Sequence, residues 1–375
     1  MKFTVTQQTL LAALNITGKC IGKTNVPIVS NYLFKVDCDE LSITGSNLEL
    51  FLTKTIAIQG NDFEVSVAIP NERMLALISA LPNEPLVFHI DKKVPVDTAV
   101  YSIRIDASCG TYQIPVSDGA DYPKLPEFGD VSVHVDSDII LEGITKTLFA
   151  CSNDDLRPAM TGLYFQLSQE KVIITATNAL VLSTLSLSIA EGEEMNFIVP
   201  AKTMSILQSI GAGSLMQLKI DDKGILFKVD DQTTLRSRLI GEMYPDYRAI
   251  IPKNNDKILK ADRLRLLAAL KRVCLFSNGE RHEISVNVHS GGLDIHGENL
   301  LEETASESLN AEYAGEEIAI SMDGKLLSAC LSKYESENIW LSFSKPSRAF
   351  LITDNEPGAS MENLMLMMPI AGAAR

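Results

Sequence analysis

His282, His289 and His296 recur at intervals of seven residues, and imidazoles so repeated could ligate zinc or another first-row metal. In extended chain an odd interval places successive side chains on opposite faces, so the three do not converge on one ion. Paired carboxylates at Asp154-Asp155, Asp221-Asp222 and Asp230-Asp231 could hold a divalent cation for hydrolysis. Each pair lies in a short polar stretch between alternating segments, where solvated turn residues are expected. Gly211-Ala212-Gly213 follows a helical pattern and precedes a strand pattern, the reverse of a dinucleotide-binding loop. The chain has neither a phosphate-binding Gly-x-x-x-x-Gly-Lys-[Ser/Thr] nor a Gly-x-Ser-x-Gly nucleophile elbow. Its six cysteines (Cys20, Cys38, Cys109, Cys151, Cys274 and Cys330) show no Cys-x-x-Cys spacing and read as reduced, mostly core residues. No catalytic residue, metal or cofactor is expected from these patterns.

A different chemistry lies in the distribution of charge. With 48 acidic against 33 basic residues the net charge is −15, which for a uniform surface would disfavour a polyanionic partner. Ten cations nevertheless fall on six segments with helical periodicity: Lys19, Arg73, Lys146, Lys202, Arg263, Arg265, Lys271, Arg272, Lys325 and Lys333. Only Glu72, Asp138, Glu142, Asp262 and Asp323 oppose them, leaving the helices net positive and the rest of the chain strongly negative. Amphipathic helices with a solvated basic face would give the same count and are the commoner cause; repetition across all six shifts the balance toward one cationic surface on an anionic body but leaves both readings open.

The segments that carry these cations recur in order. Apolar residues three and four apart predict helices over Thr6–Ile21, Asp138–Cys151 and Ala261–Phe276. Each precedes an alternating hairpin: Tyr32–Val36 with Leu41–Gly45, Leu163–Leu167 with Val172–Ala176, and Ile284–Val288 with Leu293–Gly297. The second strand of each runs into an asparagine, Asn47, Asn178 or Asn299, and a further helix follows at Asn71–Ala80, Ala201–Ile210 or Asp323–Tyr334. A period of about 120–130 residues is too long for a solenoid repeat and predicts domains with separate cores. Three tandem α+β domains are expected, at residues 1–127, 128–252 and 253–375, which suits a chain of 375 residues. No apolar run reaches the roughly 18 residues of a membrane span and no signal core is evident, so a cytoplasmic protein is expected.

Several motifs in this order resemble those of the bacterial DNA polymerase III beta subunit family, the replicative sliding clamps. They are Met1-Lys2-Phe3, Val26-Pro27-Ile28 with Asn31, Leu41 to Glu49, Arg157 with Gly162, and Ala176-Thr177-Asn178. Tyr244-Pro245-Asp246-Tyr247-Arg248 with Pro252, Ser277-Asn278 and the terminal Met368-Pro369-Ile370 complete the set. The resemblance implies a DNA-clamp fold: a head-to-tail homodimer forming a ring, with helices lining the hole and antiparallel sheets outside. It implies a non-catalytic processivity factor that encircles duplex DNA without reading sequence. DNA contacts are then expected from Lys19, Lys23, Arg73, Lys146, Lys202, Arg263, Arg265, Lys271, Arg272 and Lys325. By family position Tyr112 and Ile114 would meet Leu275 and Phe276 of a second copy.

The resemblance further implies a hydrophobic groove for short peptide motifs of the DNA polymerase III catalytic subunit, the clamp loader complex, other polymerases and repair proteins. Its wall would comprise Met160, Thr177, Ala179, Leu180, Val181, Leu182, Pro245, Ala249, Ile250, Leu366, Met367, Met368, Pro369 and Ile370. A Met-rich run suits adaptable binding, though Leu364–Ile370 also reads as a last core strand. Ala179-Leu180-Val181 stands where the family usually has Gly-His-Arg, and Ala249 where a basic residue is common, so the groove is more apolar than usual. The tail, residues 371–375, extends beyond the usual end and could flank it. Two other readings compete: a multidomain hydrolase using carboxylates and a metal, which the absence of converging groups disfavours, and a scaffold without a nucleic-acid role, which would not require cationic helices.

Overall fold

The computed structural model describes residues 1–22, 24–60, 63–93, 100–127, 131–189, 193–211, 215–279, 281–356 and 362–370. The first repeat contains β1 (Lys2–Thr6), α1 (Gln7–Gly18), β2 (Asn31–Asp37), β3 (Glu40–Ser46), β4 (Leu50–Ala57), β5 (Val65–Pro70), α2 (Asn71–Ala80), β6 (Pro85–Lys93), β7 (Val100–Ala107) and β8 (Gly110–Asp118). The second follows the same order: β9 (Val131–Asp136), α3 (Ser137–Thr147), β10 (Gly162–Leu167), β11 (Lys171–Thr177), β12 (Val181–Ser188), β13 (Met195–Pro200), α4 (Ala201–Ile210), β14 (Leu215–Ile220), β15 (Gly224–Asp230) and β16 (Thr233–Arg238). The third has β17 (Lys257–Asp262), α5 (Arg263–Val273), β18 (Glu283–His289), β19 (Gly292–Glu298), β20 (Thr304–Asn310), a short β21 (Glu312–Ala314), β22 (Ile318–Asp323), α6 (Gly324–Leu331), β23 (Asn338–Phe343), β24 (Phe350–Thr353) and β25 (Asn363–Met367).

Each strand preceding a helix ends in a residue suited to start one. Thr6, Asp262 and Asp323 accept hydrogen bonds from the backbone N–H three residues on, while α2 and α4 start directly after Pro70 and Pro200. The expected helices Asn71–Ala80 and Ala201–Ile210 match the structure, but the other four are shorter than their apolar periodicity. After Gly18, Lys19, Cys20 and Ile21 donate to carbonyls three residues back, and 3₁₀ turns over Leu148–Ala150 and Cys274–Phe276 extend α3 and α5 likewise. Such turns keep the apolar residues facing the core after the α-helix has ended. The end of α1 presses on β3 at Gly45, where a Cβ would lie 2.1 Å from the Thr17 carbonyl oxygen. Gly297 of β19 meets the end of α5 in the same way, at 2.9 Å from the Val273 oxygen.

Pairing is antiparallel throughout the registered ladders, and the sheets run through the repeat boundaries. One has the order β1-β6-β7-β8-β5-β2-β3-β4-β16-β15-β14-β9, a second β13-β10-β11-β12-β25-β24-β23-β17-β21, and a third β20-β19-β18-β22. The fourth strand of the first repeat therefore pairs with the last of the second, Leu50–Lys54 against Thr233–Ser237. The fourth strand of the second pairs with the last of the third, Val181–Leu185 against Asn363–Met367. Compactness follows these ladders: residues 1–138 with 205–239 form one unit, and 139–204 with 240–375 another. The first has its core between α1, α2 and their sheet, around Phe3, Tyr32, Phe34 and Phe88. In the second, α5 and α6 cover β18, β19, β23 and β25 around Leu270, Tyr334, Phe343 and Met367. No helix among the described residues is long and apolar enough to cross a membrane.

The cysteine expectation is corrected. None of the six is in a disulfide among the described residues, but only Cys20 and Cys330 are buried; Cys38 and Cys109 are exposed at hairpin turns. The acidic pairs sit at turns as expected: Asp154, Asp221 and Asp230 each accept a backbone N–H two residues ahead. His289 faces Asp294 at 3.4 Å while His296 bonds Ser306 at 2.9 Å, so these rings have separate partners.

Candidate functional site

Helix ends and first turns hold most of the cations expected to meet DNA, but several are already engaged. Lys19 donates to the Ser209 carbonyl (2.9 Å) and hydroxyl (3.0 Å), closing the C-terminal end of α4. Lys146 bonds Glu142 one turn earlier at 2.7 Å, and Arg263 donates to the Ser336 carbonyl at 2.6 Å. Arg265 stands 3.7 Å from Asp262, which caps its own helix. Arg272 is held most firmly: Nε and Nη2 each lie 2.6 Å from a carboxylate oxygen of Glu307 on β20. This fork raises the guanidinium's proton affinity and holds the Glu307 carboxyl below the ordinary range, each by hydrogen bonding to the other. Arg73, Lys202, Lys271 and Lys325 are exposed on α2, α4, α5 and α6 and have no ion pair among the described residues. Lys23 lies outside the described residues. The free cationic pool is therefore smaller than the sequence count.

The residues expected to line a groove divide by strand parity. Val181 and Met367 are paired across β12 and β25 and point into the large core under α5 and α6, 1% and 0% exposed. They are corrected from groove wall to core, because neighbouring strand residues point to opposite faces. Leu182 and Leu366, also paired, face the other way and pack with Ile198, Tyr244, Tyr247, Leu351 and Leu364. Above this floor the backbone N–H of Met368 donates to the Leu180 carbonyl at 2.8 Å. Leu180, Pro245, Ala249, Ile250 and Met368 are exposed, whereas Met160, Pro369 and Ile370 are half-buried.

The loop before β12 is braced from within. Asn178 Oδ1 accepts the N–H groups of Leu180 (3.0 Å) and Val181 (2.9 Å), and the buried Thr177 hydroxyl donates to the Val181 carbonyl at 2.7 Å. Ala179 takes a φ of 72°, a left-handed conformation natural to glycine. Tyr164 stacks on Tyr244 with ring centroids 4.5 Å apart, and the Tyr247 hydroxyl donates to Gln166 at 2.7 Å. Burial pushes the Tyr244 phenol well above its ordinary titration range, so it stays neutral. These rings were missing from the expected wall, although the Tyr-Pro-Asp-Tyr motif that carries two of them was visible in sequence. Arg248 is drawn onto Tyr247 and Gln166, 5.7 Å from the ring centre and 3.2 Å from the amide oxygen. The tail, residues 371–375, lies outside the described residues.

Of the residues expected between copies, Leu275 is 78% and Phe276 37% exposed at the end of α5. Tyr112 is half-buried and Ile114 is buried in the first unit's core. Ile114 is thus corrected to a core residue, since inward positions alternate along β8. What β8 leaves available is its backbone: of its free side only Ser117 and Asp118 pair, with β5. In the second unit β20 is likewise an edge strand, paired among the described residues only with β19.

Comparisons with known proteins agree with this arrangement along the whole chain. A beta sliding clamp from Pseudomonas putida is 25% identical over 367 residues, covering 94% of this chain and 96% of its own. The solved structure of a DNA polymerase sliding clamp from Bacillus subtilis superposes with a TM-score of 0.91 at 22% identity, covering 100% of each chain. A DnaN sliding clamp from Pseudomonas aeruginosa bound to griselimycin gives 0.90 at 21% identity, covering 99% of each. Family models for the N-terminal, central and C-terminal domains of the DNA polymerase III beta subunit match residues 1–126, 134–246 and 248–369 in turn. With a matching domain model over each repeat and a shared fold, the chain belongs to the DNA polymerase III beta subunit family.

Proposed function

We propose that the chain is a sliding clamp: two copies close head to tail around duplex DNA and hold a polymerase to its template without catalysing a reaction. The observation that carries this reading is the pattern of strand junctions. The fourth strand of the first repeat takes the last strand of the second, and the fourth of the second takes the last of the third. Applied once more, the rule requires β20, the fourth of the third repeat, to take β8, the last of the first; among the described residues the outer edge of β20 is open, and so is that of β8 up to Ser117 and Asp118, which pair with β5. β8 lies in one compact unit and β20 in the other, and the reading assigns their partners to a second copy. Such a heterologous contact closes into a ring when its rotation permits. Three domains per chain, at residues 1–127, 128–252 and 253–375, would then give six in the ring.

The cations without ion pairs on α2, α4, α5 and α6 support phosphate contact from the lining helices. Contacts that reach only phosphates carry no sequence information and suit sliding. The aromatic-floored groove between Leu180, Ile250 and Met368 supports docking of short apolar motifs from polymerases, the clamp loader and repair proteins in the cytoplasm. Loaded onto a nicked circular duplex, the protein should be retained through gel filtration at moderate salt and released once the circle is linearised. Equal retention on circular and linear DNA would refute encirclement.

A further inference from the structure

Alternation along β14, β15 and β16 sends one set of side chains into the core and the other outward. Leu218, Ile225, Phe227 and Leu235 are buried, while the opposite parity carries Lys219, Leu226, Lys228, Arg236 and Arg238. The ladders set three of these in one row across the strands: Arg236 pairs with Leu226, and Leu226 with Lys219. Arg238 follows Arg236 on the same face, and the turn beside it is held by the N–H of Leu239 on the carbonyl of exposed Lys223. In a chain of net charge −15, whose sequence places an excess of cations on helices, such a group of cations on a sheet face is out of place.

Little within the chain neutralises them. Lys228 has an ion pair, with Asp231 at 2.9 Å, but Lys219, Lys223, Arg236 and Arg238 have none among the described residues. Asp222 is exposed at the same turn as Lys223, and exposed Glu127 attracts Arg236 without closing an ion pair. Arg236 is the most constrained of the group. It is half-buried, its Nη1 donates to the Thr234 hydroxyl at 2.9 Å, and burial lowers its proton affinity while Glu127 opposes that change. A guanidinium nevertheless stays charged, so its remaining N–H groups keep the capacity for a forked bond to a carboxylate.

We propose that the outer face of β14, β15 and β16 docks an acidic peptide segment of a partner protein, with carboxylates on Arg236 and Lys219 and an aliphatic side chain on Leu226 between them. Two strand spacings, about 10 Å, separate the two cations, a distance that three residues of an extended peptide span. Charge sets the sign of the partner, and the chemistry of the row sets its class. No outward position of these strands is aromatic, so a single-stranded nucleic acid would find phosphate contacts but no stacking surface. Leu226 offers nothing to a phosphate backbone, whereas a peptide that mixes acidic and aliphatic residues satisfies the cations and the leucine together. This face is separate from the proposed groove, whose Leu182, Leu366 and Tyr244 belong to the other compact unit.

The test is fluorescence anisotropy of a rhodamine-labelled Glu-Glu-Leu-Glu-Glu peptide titrated with the full chain at low salt. The unmodified chain should bind it with a dissociation constant of about 10–100 μM, weakening several-fold as salt is raised to about 0.3 M. Arg236→Gln/Lys219→Gln should weaken binding about tenfold with an unchanged circular dichroism spectrum. Lys219→Gln/Arg238→Gln, in which both side chains are exposed, should weaken it about threefold and leave the unfolding midpoint where it was. No binding by the unmodified chain, or equal binding of a Gln-Gln-Leu-Gln-Gln peptide, overturns the proposal. So does undiminished binding in both variants. Loss of the peptide in Arg73→Gln/Lys202→Gln instead would assign it to the helix cations, and its displacement by a labelled oligonucleotide that fails to bind the Arg236 variant would assign the face to nucleic acid; either result overturns the proposal.

Discussion

Met367 and Met368 are neighbours with opposite fates, and replacing each by alanine separates the core of the strand from the proposed peptide groove beside it. Met367 is 0% exposed, laddered to Val181 and Phe350 and packed in the core under α5 and α6. Truncation there removes three heavy atoms from a close-packed site and should cost about 2–5 kcal/mol, the range for buried Met→Ala changes. Met368 is 40% exposed, so its truncation should cost less than about 1 kcal/mol of stability. For a short peptide carrying a Gln followed by Leu and Phe, losing the Met368 contact should weaken binding roughly tenfold, about 1.4 kcal/mol. Urea unfolding of each variant and fluorescence anisotropy of the labelled peptide give the two readouts. Met367→Ala should lower the midpoint and, where still folded, bind nearly normally; Met368→Ala should do the reverse. Peptide binding lost in Met367→Ala at an unchanged midpoint would refute the assignment of these side chains to opposite faces.

Two other residues make separate demands. Ala179→Gly should stabilise the chain by about 0.5–1 kcal/mol in the same urea assay, because glycine relieves the strain of a φ of 72°. An equal or lower midpoint would show that the loop is not strained there. Glu307→Gln removes the carboxylate that grips Arg272. The folded-state pKa of Glu307 is depressed, so its contribution is present above the unfolded glutamate value near 4.3 and lost as pH falls through the folded value. A small fall in melting midpoint at pH 7 should therefore fade on acidification below about pH 4; a pH-independent fall would point to lost packing instead.

Local elements were legible because their periods are strong. Tyr32, Phe34 and Val36 alternate inward on β2, and Leu266, Ala269, Leu270 and Val273 form one buried helical face. What sequence could not supply was parity at a given position. Ile114 and Met367 were expected at surfaces and lie in cores, since a shift of one residue along a strand reverses the face. The Arg272–Glu307 fork joins residues 35 apart, on a helix and the third strand after it, and no local pattern marks it. The aromatic cluster was half-visible: Tyr244 and Tyr247 stand in the Tyr-Pro-Asp-Tyr motif, but the stacking of Tyr244 on Tyr164 depends on a fold that brings residues 80 positions apart into contact. Likewise the turn sites of Cys38 and Cys109, beside Asp39 and Gly110, carried a signal that cysteine composition alone obscured.

Because a ladder crosses each internal repeat boundary, the repeat visible in the sequence is not the piece of chain that stands complete. A gene cut after residue 127 would strip β4 of the partner supplied by Thr233–Ser237, and one cut after 252 would strip β12 of Asn363–Met367. Each product would carry a raw, hydrogen-bond-hungry margin prone to self-association. The central repeat suffers most, because its β9 and β14 to β16 belong with the first compact unit and its β10 to β13 with the second. Duplication could therefore have built this chain from one ancestral copy only if that copy already assembled with others of its kind, each lending its last strand to the next; fusion then made permanent what had been association.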